Sequence, residues 1–191
     1  MLSNANAQFD LARRLQGGES VPLGEVFTFL SGLYFRGKVA YARAFAKCER
    51  GRCAIWVITS NLGLVNVDEP FTLKQLQEFS EVDIDHADPR YREPLERDAR
   101  RIRKQFPEAE IVLLGSISTK KYVECLLEVF GPRLKFPIEF VGRGDMSRGG
   151  LLLRCAVDGQ ELTYVPVLGA TRRGRRPEKL APRRYTHLKG V

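Results

Sequence analysis

Histidine occurs twice and tryptophan once in this chain of 191 residues, and cysteine only four times. His86 and His187 lie in polar segments far from the cysteines, so no Ser-His-Asp or Cys-His set that would activate a nucleophile is in view. Cys48 and Cys53 have the spacing of half a zinc site, but the other half is missing. Cys125, beside Val123, Leu126 and Leu127, and Cys155, following Leu151-Leu152-Leu153-Arg154, read as small buried hydrophobes. Neither a metal nor a cofactor is expected. Long apolar runs are also lacking. Runs such as residues 111–114 and 151–153 are far short of the ~18 needed to span a bilayer, so no membrane association is expected. No basic stretch leads into an apolar segment near Met1, so a cytoplasmic location is expected. The phosphate-loop pattern G-x-x-x-x-G-K-[ST] does not occur.

What is present is ordinary for a globular protein: 43% hydrophobic and 28% charged residues. The length predicts one domain that buries about two thirds of its unfolded surface. The +8 net charge is unevenly placed. From residue 171 onward eight basic residues, among them Arg172, Arg173, Arg175 and Arg176, face only Glu178, giving +7 there and +1 in the body. The expected organisation is one α/β domain over 1–170, with a polar lead-in over 1–20, followed by a flexible basic tail over 171–191. Such an arm suits an anionic polymer through counterion release, or serves only as a solubilising end.

Hydrophobic spacing supplies the elements. A short helix is predicted over 9–15. Val26, Phe27, Leu30, Leu33, Val39, Tyr41, Ala42 and Phe45 predict two helices, or one bent at Gly32 or Gly37, over 24–46. Residues 54–60 predict a strand buried on both faces. Thr72-Leu73-Lys74-Gln75 matches a capping box before a short helix. Tyr91, Leu95, Ala99, Ile102 and Phe106 mark a long helix starting near Pro94, with Glu93, Glu96 and Asp98 among the arginines of a solvated face. Residues 110–114 form the second clear strand, followed by a helix over 120–130 that stops at Gly131-Pro132. Residues 134–141, interrupted by Pro137, predict an edge strand, and Asp158-Gly159 predicts a hairpin between 151–157 and 161–167. Together these give an α/β fold: a layered central sheet with parallel core strands, flanking helices and a C-terminal β-hairpin.

Two segments carry candidate chemistry. At Gly115-Ser116-Ile117-Ser118-Thr119-Lys120-Lys121, hydroxyls and two lysines at a helix start would hold a phosphate or carboxylate, unless Ser118 or Thr119 merely caps the helix. At Gly142-Arg143-Gly144-Asp145-Met146-Ser147-Arg148-Gly149-Gly150, glycines would admit a ligand close to the backbone. Arg143 and Arg148 would grip its phosphate, and Asp145 would orient an arginine or act as a base. Asn61 and Asp68, after the first strand, join Asp145 as catalytic candidates if the two clear strands are parallel neighbours.

Several islands, Gly32-Leu33-Tyr34-Phe35-Arg36-Gly37-Lys38 with Tyr41-Ala42, then Thr59-Ser60-Asn61-Leu62-Gly63-Leu64-Val65 with Asp68, then Leu113-Leu114-Gly115-Ser116 and Lys121-Tyr122, resemble an uncharacterised bacterial and phage group. That group is similar to the YaaA-type peroxide-stress proteins, which have a uracil-DNA-glycosylase-like fold. The resemblance implies a compact α/β domain, nucleic-acid association and a base-sized pocket near the strand ends, and it adds Arg36 to the phosphate-binding candidates. The Asp-Pro-Tyr and His-Pro-Ser elements of the glycosylases are absent. The leading expectation is a nucleic-acid-associated protein that binds a nucleotide or base, with or without processing of a base or glycosidic bond. The alternatives are an enzyme or sensor for a phosphorylated metabolite, and a non-catalytic interaction module.

Overall fold

The structure is a computed structural model that describes residue 2, residues 7–47 and residues 54–183. Cys48, Cys53 and His187 lie outside the described residues. The chain is mixed α/β, and its helices form most of the framework. The elements run α1 (Asp10–Gln16), β1 (Val21–Pro22), α2 (Leu23–Phe45), β2 (Trp56–Ile58), β3 (Leu64–Asn66), β4 (Pro70–Phe71), α3 (Leu73–Phe79) and α4 (Pro89–Gln105). They continue through β5 (Ile111–Val112), α5 (Val123–Phe130), β6 (Leu134–Pro137), α6 (Asp145–Asp158) and β7 (Tyr164–Pro166), with 3-10 turns on either side of β6.

The strands fall into three small sheets instead of one layer: β1 with β4, β2 with β3, and β5-β6-β7. β2 and β5 are therefore not parallel neighbours. Strand β2 turns directly back on β3 as an antiparallel hairpin, with Val57 opposite Val65. The turn closes where Gly63 accepts from the Thr59 amide and hydroxyl, both at 2.9 Å. The parallel pairing present is β5 with β6. β6 is the centre of its sheet, not an edge, because Pro137 stands at its last position and removes no donor from the strand interior.

Helix α2 breaks at Gly32, one of the two glycines expected to bend it, and Gly37 stays helical. Gly32 has φ 59° and ψ −138°, a conformation open to glycine, and divides the helix into two arms. Thr72 caps α3 through the predicted box, its amide donating to Gln75 Oε1 at 2.9 Å. Helix α4 starts one turn earlier than predicted, at Pro89, because Asp88 caps it by accepting the Arg90 amide at 2.9 Å. Asp98 does not belong to the solvated face. It is buried and accepts the Leu64 amide at 3.1 Å, which ties the β2–β3 hairpin to α4.

The expected C-terminal hairpin is a helix. Residues 151–157 belong to α6, which buries Gly149, Leu152, Leu153 and Cys155 at helical spacing. Gly159, at φ 65° and ψ 24°, ends it by donating to the Cys155 carbonyl. The left-handed geometry that marks a hairpin turn also serves a helix C-terminus, and here the cap prevails. Helix α6 packs on the second arm of α2 by backbone contact. A Cβ at Gly37 would lie 2.6 Å from the Gly149 carbonyl oxygen, and one at Gly149 would lie 2.7 Å from Tyr34 Cα.

Candidate functional site

The α2–α6 crossing brings polar groups from three parts of the chain together. The second arm of α2 contributes Tyr34 and Lys38, one helical turn apart, with the Lys38 ammonium 4.1 Å from the centre of the Tyr34 ring. The Leu114–Tyr122 connection contributes its backbone and Tyr122. Tyr34 donates to the Leu114 carbonyl at 3.4 Å, and Gly115 is close enough to Tyr122 that a Cβ would stand 2.7 Å from its hydroxyl. The start of α6 contributes Asp145 and Arg148, paired at 3.3 Å.

Burial sets the character of this cluster. Arg148 is only 8% exposed. Its guanidinium donates twice to the Phe140 carbonyl, at 3.4 and 3.3 Å, and lies 5.5 Å above the Phe140 ring. Two prongs of the predicted phosphate fork are thus engaged by the protein. Lys38 is different. It has no hydrogen bond or ion pair with the described residues, and burial holds its ammonium down to about 8, with Arg148 pushing in the same direction and Asp145 opposing. Burial likewise raises the Tyr34 and Tyr122 hydroxyls, so both remain protonated donors. The cluster thus holds one half-buried unpaired cation, two phenols and a fixed guanidinium.

Each sequence-predicted residue now has a place. Asp145 and Arg148 join the cluster. Gly149 does not receive a ligand, because its close approach is to α2. Gly144 is the residue before α6, and Ser147 and Gly150 lie within that helix. Arg143 turns away, donating to the Glu139 carbonyl at 3.0 Å and to Ser147 Oγ at 3.2 Å. The helix expected from Lys120 begins at Val123 without a side-chain cap. Ser116 and Ser118 bond each other at 2.8 Å and Ser116 Oγ accepts the Ser118 amide at 3.4 Å, so local hydroxyl bonding bends the chain before the helix can start. Lys120 pairs with Glu124 at 3.2 Å, and Lys121 is exposed.

The remaining candidates stand elsewhere. Asn61 donates to the Glu78 carbonyl at 3.4 Å, at the end of α3. Asp68 pairs with Arg43 at 2.5 Å, and Arg36 is exposed on α2. Cys125 and Cys155 are buried as expected, which pushes both thiols up. His86 lies 3.4 Å from Asp85 and 3.7 Å from Glu124. Among the described residues no three His, Cys, Asp or Glu side chains are placed to hold a metal ion, and no helix is long and apolar enough to cross a membrane.

Two features were missed at the sequence level. Lys38 is one: its spacing from Tyr34 was visible, but its burial was not. The other is the course of the basic segment. Gly142, at φ +75°, makes room for the Arg175 carbonyl, and a Cβ at Gly174 would stand 2.6 Å from Val141 Cγ1. Further on, Arg154 donates to the Ala181 carbonyl and Arg183 pairs with Asp158 at 2.7 Å. Residues 174–183 therefore lie along α6, while Arg172, Arg173, Arg175 and Arg176 remain exposed. A separate cleft of about 630 Å³ runs between the β2–β3 hairpin and α4, lined by Trp56, Arg97, Asp98 and Arg101. Its arginines are paired with Asp98, at 3.1 and 3.5 Å. Comparison with family models, curated proteins and solved structures finds no match to this chain.

Proposed function

We propose that this protein associates with nucleic acid and seats a nucleotide at the α2–α6 crossing, with Lys38 as the cation that meets its phosphate. The observation that carries this reading is the Lys38 ammonium, half-buried on the Tyr34 ring with no acid paired to it. A buried cation without a counterion is costly, and an arriving anion removes that cost. The Tyr34 ring lies under it, and the Arg148 guanidinium, held by Phe140 and paired with Asp145, stands in the same cluster. The basic segment along α6 adds long-range attraction for a polyanion.

Binding without turnover is the form of this reading that the geometry favours. Of the three catalytic candidates Asp145 lies at the cluster, while Asn61 and Asp68 are engaged by α3 and by Arg43. The test is calorimetric titration with a deoxynucleoside monophosphate at pH 8.5 in two buffers of different ionisation enthalpy. Binding is expected with proton uptake by wild type and without it by Lys38→Met, whose affinity falls about tenfold or more, as for loss of a charged hydrogen bond. Equal affinity in the two proteins overturns the reading.

A further inference from the structure

Helix α6 and residues 174–183 enclose a groove of about 310 Å³ on the side of α6 that bears Ser147 and Arg154. Four cations line it, Arg143, Arg154, Arg176 and Lys179, and no carboxylate does. We propose that this groove is a second anion site, which takes consecutive phosphates of a nucleic-acid strand. The ligand class rests on the nucleic-acid reading above, whereas the site itself rests on the groove.

The charge pattern sets this groove apart from the rest of the surface. Many arginines elsewhere find carboxylates: Arg14 pairs with Glu19 at 2.8 Å, Arg100 with Glu96 at 2.8 Å, and Arg92 with Glu128 at 2.8 Å, while Arg103 stands alone on the Val129 carbonyl. In the groove Arg143 and Arg154 reach only carbonyls and Ser147, and Arg154 Nε is buried without a partner among the described residues. Arg176 and Lys179 make no hydrogen bond or ion pair with the described residues. Like charges in one groove repel, so something other than their own interactions must bring them together.

The backbone does so. At one end the Gly142 and Gly174 notches admit the segment, and at the other Arg183 pairs with Asp158 at 2.7 Å. Leu180 packs near Gly150 between these anchors. The segment's one acid, Glu178, is exposed and does not line the groove. The cations are thus gathered by contacts that do not neutralise them, which leaves the groove ready for a counter-anion. From Ser147 to Arg154 the helix rises about 10 Å, a length that adjacent phosphates of a strand fill and a single phosphate does not. The Lys38 cluster meets α6 at Asp145 and Arg148, which flank Ser147 in the sequence.

The experiment uses the full chain and a fluorescein-labelled single-stranded DNA of about 15 nucleotides, with anisotropy read over a range of KCl concentrations. Removing two groove cations in Arg176→Ala with Lys179→Ala should flatten the slope of log K against log salt by about 1.4. Removing two exposed cations elsewhere, in Lys74→Ala with Lys104→Ala, should leave that slope unchanged. Bound DNA should also slow tryptic cleavage after Arg172, Arg173, Arg175 and Lys179 by about tenfold, because the seated segment opens less often. Millimolar inorganic phosphate should not give this protection, and equal protection by phosphate overturns the strand as ligand. A wild-type slope in the groove variant, with binding retained, overturns the groove and leaves the nucleotide reading standing. No DNA binding by wild type overturns both.

Discussion

The Gly149 carbonyl oxygen lies so close to Gly37 that a methyl group placed on Gly37 would stand 2.6 Å from it. The helices that carry the candidate site are therefore spaced by two hydrogen atoms. That spacing sets how deeply Lys38 and Arg148 are buried, because a wider crossing would admit water to both.

Gly149→Ala should cost about 1–3 kcal/mol, since its methyl would meet the Tyr34 backbone and must push the helices apart. Gly150→Ala is the control. Its new atom would find only Leu180, at 3.8 Å, so the helix gains up to about 1 kcal/mol of propensity. Urea denaturation of the two variants should move in opposite directions.

Asp98 links two elements through one carboxylate, and its removal should be felt in both. Asp98→Ala leaves the buried Leu64 amide without its acceptor and should cost about 1–3 kcal/mol. Asp98→Asn keeps one acceptor oxygen and should cost less. Thermal melts at matched ionic strength separate the two.

The Lys38 ammonium predicts a pH dependence with a definite sign. Its folded value, about 8, is below the ordinary 10.5, so the unfolded chain holds more protons between those values. The cost of burying the charge is fully present below about pH 8 and disappears as pH rises toward 10.5. Lys38→Met should therefore be more stable than wild type at pH 7, with the difference narrowing through pH 8–10. Chemical denaturation across that range measures it, and a constant difference would show that the ammonium is not buried.

Thr72 supplies a smaller test. Its hydroxyl accepts the Gln75 amide at 3.4 Å and its own amide is held by Gln75. Thr72→Ala should cost about 1 kcal/mol in a two-state melt.

Much of the local structure was legible in the sequence. Gly32 marked the bend of α2, Thr72 and Gln75 marked the start of α3, and the apolar neighbours of Cys125 and Cys155 marked their burial. The α6 segment was not legible, for a physical reason. Three glycines near its start and Asp158-Gly159 at its end argue against a helix on propensity, but close packing on α2 repays the glycines, and Gly159 caps as readily as it turns. The start of α5 was misplaced because hydroxyls that cap a helix also bond one another. Of the candidate site, Asp145 and Arg148 were found by their place among glycines. Lys38 was not, since its distinguishing property is the lack of a partner, which only the packed structure reveals.

Helix α2 borders all three apolar clusters of the protein: Val26 packs in one, Leu23 and Val39 in the second, and Tyr41 in the third. Small sheets that share no strand would otherwise melt as separate units. One rod threaded through all three makes them a single cooperative body, with Gly32 as its only joint. A ligand that stiffens the arm bearing Lys38 should therefore slow amide hydrogen exchange beyond the joint, in the arm bearing Val26, where it makes no contact.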